Sequence, residues 1–131
     1  MSCIFCSIAN HEMNSSLIYE DDTVAAFLDL SQVTKGHTLV VPKKHVENVL
    51  ECDPETLAHL IQVTQMLAQR IVERCEAKGV NILTNCNSVA GQSVMHLHFH
   101  IIPRYSESDA IEIKFNESEK QNLEELCNLL K

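Results

Sequence analysis

Apolar positions along this chain follow two rhythms, and their alternation sketches a fold. Leu17 to Glu20 and Thr23 to Leu28 read as two short strands, with Asp21-Asp22 at the turn between them. His37 to Val41 is a third strand, rich in β-branched residues and ended by Pro42. The period then changes. From Pro54 to about Lys78, Leu57, Leu60, Ile61, Thr64, Leu67, Ala68, Ile71, Val72 and Cys75 recur at helical spacing. Asp53 suits the N-cap, Pro54 the first helical position and Gly79 the stop, and His59 falls beside the stripe as a surface residue. Val80 to Thr84 predicts a fourth strand and Met95 to Ile102 a fifth, ended by Pro103 and preceded by the turn-rich stretch Asn85 to Ser93. Residues 117 to 130 predict a terminal helix with Leu123, Leu126, Cys127 and Leu130 on one side. The fold class is α+β: an antiparallel five-stranded sheet with one long helix and a C-terminal helix.

Composition narrows the function classes. The chain has 131 residues, 45% hydrophobic and 21% charged, the size and make-up of one globular domain. A net charge of −8 argues against general nucleic-acid or anionic-membrane binding, so any anionic ligand must be held by local donors. No run approaches the ~18 uninterrupted apolar residues of a membrane span, and Met1-Ser2-Cys3 opens without a signal-peptide pattern, which makes cytoplasmic residence the expectation. Of six cysteines only Cys3 and Cys6 are close together. The set reads as free thiols plus one C-x2-C half-site, open between zinc, redox chemistry and no role. His11 has no assignment and is expected to be exposed.

The informative segment is His96-Leu97-His98-Phe99-His100-Ile101-Ile102. Alternation along a strand puts three imidazoles on one face and Leu97, Phe99 and Ile101 on the other. Histidine buries poorly unless hydrogen-bonded, so three on one face call for chemistry or a solvated edge. Two chemical readings compete. Histidines at i and i+2 lie about 6.6 Å apart and can share an ion, but the outer two, about 13 Å apart, cannot both join the same zinc. Alternatively a neutral imidazole is a nucleophile near pH 7, its unperturbed pKa being about 6.5. Gly91-Gln92-Ser93, directly upstream, offers a turn whose N–H groups suit an anion.

His-Leu-His-Phe-His-Ile-Ile resembles the signature of the histidine triad family. So do Phe27-Leu28-Asp29-Leu30, the run Gly36 to His45, and Gly91-Gln92-Ser93-Val94. The resemblance covers about residues 3 to 105, closest to the zinc-containing bacterial and Hint-like branches. It implies a single domain over 1–131, with its core in 3–105 and an acidic extension over 106–131 that ends in the terminal helix. It further implies a nucleotide hydrolase or transferase working through a nucleotidyl-histidine intermediate, most directly a purine nucleoside phosphoramidate hydrolase. Dinucleoside polyphosphate hydrolysis, or a nucleotide-binding module with incidental hydrolysis, are the alternatives. By resemblance His98 is the nucleophile, His100 contacts the phosphate, His37 supports the site, and Ser93 and Asn85 contact the phosphate or assist the leaving group, with Gln92 beside them. Asp29 matches the ribose-binding carboxylate, and Leu30 lies against the base. Cys3, Cys6, His45 and His96 match a closed Cys2His2 set for structural zinc, so that no catalytic metal is required. The family pairs through its main helix and fourth strand, which implies a homodimer. The sequence departs from the Hint-like pattern at Asn87-Ser88-Val89-Ala90, where relatives carry a glycine-rich loop, and in a tail that lacks tryptophan.

Overall fold

The start of the sheet is set by one carboxylate. In the computed structural model, which describes residues 3–131, Asp21 Oδ1 accepts the backbone N–H groups of Thr23 and Val24, each at 2.8 Å. This turn joins β1 (Leu17–Glu20) to β2 (Val24–Leu28). The other oxygen of Asp21 lies 2.8 Å from the Tyr19 hydroxyl and 2.7 Å from His59 Nε2. Burial pushes the Asp21 carboxyl up, yet the bonds from Thr23, His59 and Tyr19 outweigh it and hold the group well below the usual carboxylate range. His59, expected to be a plain surface residue, therefore ties the long helix to the first hairpin.

That helix, α2 (Pro54–Arg74), begins as its sequence dictates, with Asp53 accepting from Thr56 N at 2.9 Å and Pro54 in the first turn. Its end is a correction. The helix stops four residues before Lys78, and Gly79 is not the cap but the first residue of β4 (Gly79–Leu83). Glu76, at φ +57°, takes the left-handed position instead. Ala77 N then bonds Val72 O and Glu76 N bonds Glu73 O, the paired bonds of a Schellman turn.

The strands run antiparallel in the order β1-β2-β3-β5-β4, with β3 at Thr38–Pro42 and β5 at Phe99–Arg104. The fifth strand was expected over Met95 to Ile102. It starts later because β3 ends at Pro42 and the chain turns away to His45, so residues 95–98 have no ladder to join. The chain bends through residues 94–96, and Leu97 N donates to Val46 O at 2.8 Å. β5 is an interior strand, which removes the solvated-edge explanation for its histidines. The terminal helix α3 is also shorter than expected, Leu123–Leu130, capped by Asn122.

Both faces of the sheet are covered. On one side Val24, Ala26, Val40, Leu97 and Ile101 pack against Leu60, Leu67 and Ile71 of α2. On the other, Ala25, Phe27, Leu39 and Val41 lie beneath α1 (Ile4–Ala9), a short helix the apolar pattern does not disclose, which lays down Phe5, Ile8 and Ala9. Strands buried on both faces read as continuous apolar runs, as in Val24-Ala25-Ala26-Phe27 and Leu39-Val40-Val41. Before β3, Gly36 sits at φ +97°, and a Cβ there would lie 3.2 Å from Pro103 and 3.3 Å from Cys75 and Ile71. Among the described residues no helix is long and apolar enough to cross a membrane.

Leu67 is fully buried at the centre of the α2 face, so Leu67→Ala should lower the unfolding free energy by about 2–5 kcal/mol in urea titrations. The Asp53 carboxyl is drawn down to about 2, first by the backbone N–H of Thr56, then by its hydroxyl and by Lys44. A depressed carboxylate contributes stability above its ordinary pKa of about 4 and loses it as pH falls toward 2. The difference in urea midpoint between wild type and Asp53→Ala should therefore be constant from pH 8 to 5 and shrink below pH 4.

Candidate active site

The alternation expected of the histidine segment holds. Leu97, Phe99 and Ile101 face α2, and the three imidazoles face α1. That face is not open: His96 is 0% and His98 6% exposed, because Phe5 of α1 lies over them. The Phe5 and His98 rings meet edge to face, with centroids 5.0 Å apart at 81°.

The hydrogen-bond partner of each ring sets its tautomer. His98 Nδ1 lies 2.7 Å from the carbonyl of His96, which can only accept, so Nδ1 carries the hydrogen and Nε2 keeps a lone pair. Burial lowers the His98 pKa, against the opposing pull of that carbonyl and of Asp29, so the ring is neutral at pH 7. Thr84 Oγ1 donates to the His98 carbonyl at 2.7 Å and fixes the backbone beneath it.

His37, just before β3, and His100, on β5, meet across the register that sets Leu39 opposite His100. Val33 N–H points at His37 Nδ1 at 3.4 Å, which makes Nδ1 the acceptor and Nε2 the donor. His37 Nε2 then donates to His100 Nδ1 at 3.0 Å, leaving the proton of His100 on Nε2. Burial first, then the neighbouring His98 and His37, pushes His100 down to about 4. Asp29 Oδ2 stands 3.7 Å from His37 Nε2, while its Oδ1 accepts from Ser31 N at 2.8 Å. Gln32 stitches this loop together: its Nε2 donates to the carbonyls of Asp29 and His37, and its Oε1 accepts from Gly36 N. The sequence reading missed Gln32, because one loop glutamine carries no distinguishing signal.

His98, His100, Asp29, Leu30 and Ser93 all border one cavity of about 390 Å³, whose apolar wall includes Ile4 and Ile8. Leu30 is almost fully exposed. Three other expected site residues do not line the cavity. His37 reaches it only through His100. Gln92 is buried, its amide spent on Glu47 O, Val94 O and Asn87 N, and Asn85 Nδ2 reaches Gly91 O at 3.4 Å. Gln92 and Asn85 thus brace the loop that presents Ser93.

Beside the cavity Cys3, Cys6, His45 and His96 converge, their donor atoms within 4.8 Å of one another. His96 Nδ1 is 3.4 Å from each sulfur and 3.1 Å from His45 Nδ1, and Cys6 Sγ is 3.3 Å from His45 Nδ1. Tetrahedral zinc with ordinary bond lengths sets sulfur and nitrogen about 3.6 Å apart and two nitrogens about 3.3 Å apart. The donors are within a few tenths of an ångström of that cage. His96 Nε2 gives its proton to Pro42 O at 2.8 Å, which leaves Nδ1 free to coordinate. His11, the remaining histidine, is exposed and lies 2.6 Å from Glu20.

A model of the HIT domain matches residues 10–107. Protein hit of Bacillus subtilis is 49% identical over 108 residues, 82% of this chain and 74% of that protein. A solved HIT family protein from Bacillus anthracis, 41% identical, superposes with a TM-score of 0.92 over 98% of this chain and 92% of its own. A Zn-bound histidine triad family protein from Mycobacterium smegmatis, 36% identical, gives 0.79 over 92% and 85%. With the triad, its tautomers and these likenesses in agreement, the chain belongs to the histidine triad (HIT) family.

Proposed function

We propose that this protein is a nucleotide hydrolase that forms a covalent nucleotidyl-histidine on His98, with a purine nucleoside phosphoramidate as the preferred substrate. The observation that carries the reading is the bond from His98 Nδ1 to the His96 carbonyl, which leaves a neutral Nε2 lone pair on a ring bordering the cavity.

In the first displacement that lone pair attacks the α-phosphorus, the N–P bond to His98 forms, and the bond to the amine breaks. The departing amine takes a proton from Ser93 or solvent. In the second, water attacks the phosphorus and releases a proton to solvent, the His98–phosphorus bond breaks to restore the neutral ring, and the nucleoside monophosphate leaves. His100 donates a hydrogen bond from Nε2–H to a phosphate oxygen and so stabilises charge as it develops. His37 holds His100 in that tautomer. Asp29, with one oxygen not taken by Ser31, accepts from the ribose hydroxyls. Leu30 and the apolar wall take the base. Gln92 and Asn85 act on substrate through the loop they brace.

Cys3, Cys6, His45 and His96 would hold zinc in a structural role, since four protein donors leave no open position for chemistry. The relative described as Zn-bound supports this assignment. We read the assembly as a homodimer formed at α2 and the β4 edge, where Val72, Val80 and Ile82 line an apolar groove.

His98→Ala should lose turnover of an adenosine phosphoramidate by about 10³-fold or more while still binding adenosine monophosphate in calorimetry. Acid-quenched wild type should carry a covalent nucleotidyl mass that the variant lacks, and near-normal turnover in the variant removes the mechanism. Rates on a diadenosine polyphosphate, measured alongside, decide the leaving group. Chelation, or a Cys3→Ser/Cys6→Ser exchange, should lower Tm by about 5 °C or more. Immediate inhibition at unchanged Tm would instead assign the metal to catalysis.

A further inference from the structure

The loop between β2 and β3, residues 29–37, carries Asp29 at its start and His37 at its end, and the two are held very differently. His37 is buried at the head of β3. Just before it, Thr34 Oγ1 donates to Pro103 O and the Tyr105 hydroxyl to Lys35 O, both at 2.6 Å, so the second half of the loop is fastened to the end of β5. The first half has no such anchor. Leu30 and Ser31 are exposed, and among the described residues neither makes a hydrogen bond outside 29–32.

One side chain joins the halves. Gln32 Nε2 donates to Asp29 O at 2.6 Å and to His37 O at 2.7 Å, while its Oε1 accepts Gly36 N at 2.8 Å. The two carbonyls can only accept and the N–H can only donate, so one orientation of the amide satisfies all three partners.

The aim of the Asp29 carboxylate follows from these bonds. Asp29 N donates to His37 O at 3.0 Å, which settles the peptide before Asp29 but not the one after it. The peptide after it is set by the Gln32 bond to Asp29 O. That peptide in turn places Ser31 N, which holds Asp29 Oδ1 at 2.8 Å in an Asx turn. With Oδ1 committed, Oδ2 is left for a ligand, 3.7 Å from His37 Nε2. Gln32 itself does not line the cavity, so it acts on a ligand only through Asp29.

We propose that Gln32 is a positioning residue for sugar recognition, and that its amide sets how strongly the site prefers a ribose to a sugar lacking hydroxyls. This rests on the reading of Asp29 as the ribose carboxylate. The chemistry stands apart from it: the His98 tautomer is set by the His96 carbonyl, and His37 keeps its place on β3 and its bond to His100.

Calorimetry on the full chain with adenosine monophosphate and its 2′,3′-dideoxy analogue reads the ribose contact without turnover. Wild type should bind the ribose form about tenfold or more tighter, the value of hydrogen bonds to a charged acceptor. Gln32→Ala should shrink that ratio to about threefold or less, with dideoxy affinity nearly unchanged. Asp29→Ala should shrink it as far, and the double variant no further. Gln32→Glu keeps the acceptor for Gly36 N but loses both donors, and should behave as Gln32→Ala does. On an adenosine phosphoramidate, Gln32→Ala should raise KM while kcat changes by less than about threefold. An unchanged ratio in Gln32→Ala, equal weakening of both ligands, or a full ratio in Gln32→Glu overturns the proposal. A wild type without any ribose preference overturns the reading of Asp29 and this proposal with it, while the nucleotidyl-histidine mechanism is judged separately by His98→Ala.

Discussion

An imidazole can attack, donate or coordinate depending on which of its nitrogens holds the proton, and here backbone carbonyls make that choice. His96 gives Nε2–H to Pro42 O, and His98, two residues on, gives Nδ1–H to His96 O. Two neighbouring residues of one type are thus set in opposite tautomers. One turns its free lone pair toward two cysteines, and the other keeps Nε2 for the cavity. The carbonyls that decide this belong to the chain's own backbone, one at Pro42 where β3 ends and one at His96 in the bend that precedes β5.

That framework also explains why the N-terminus matters. The C-x2-C pair frames Ile4 and Phe5, so the residues that would hold a metal also aim the wall of the cavity and the ring over His98. Stabilising the four-donor cluster and shaping the site are then one act of folding. The His37–His100 pair is independent of the cluster. It is positioned by the loop that Gln32 closes and by the register of β3 on β5.

Much of this was legible in the sequence, for identifiable reasons. Alternation around His98 survives any choice of strand boundary, so the facing of the triad could be read even though β5 begins at Phe99 and not Met95. Asp53-Pro54 announced the start of α2 because a cap is a local device. The end of α2 was misread because Gly79 was needed as a strand residue opposite Arg104, which only pairing reveals, and Glu76 bore the left-handed turn. Helix α1 escaped because six residues give too little periodicity. Gln92, beside Ser93 in sequence, turned out to face the protein, since the side-chain direction of a turn residue depends on φ values such as +74° at Asn87 and +99° at Gly91. His59 escaped for a related reason: its partner, Asp21, lies 38 positions away.

The close seat of Gly36 has a consequence for how this site can vary. Its φ of +97° is one that side chains rarely adopt, and a methyl group there would also press by a few tenths of an ångström on Pro103 of β5 and on Ile71 of α2, one residue away from His37. The approach to the His37–His100 hydrogen bond thus depends on a residue with no side chain and no chemistry of its own. Any other residue at that position carries backbone strain into the turn that leads to His37.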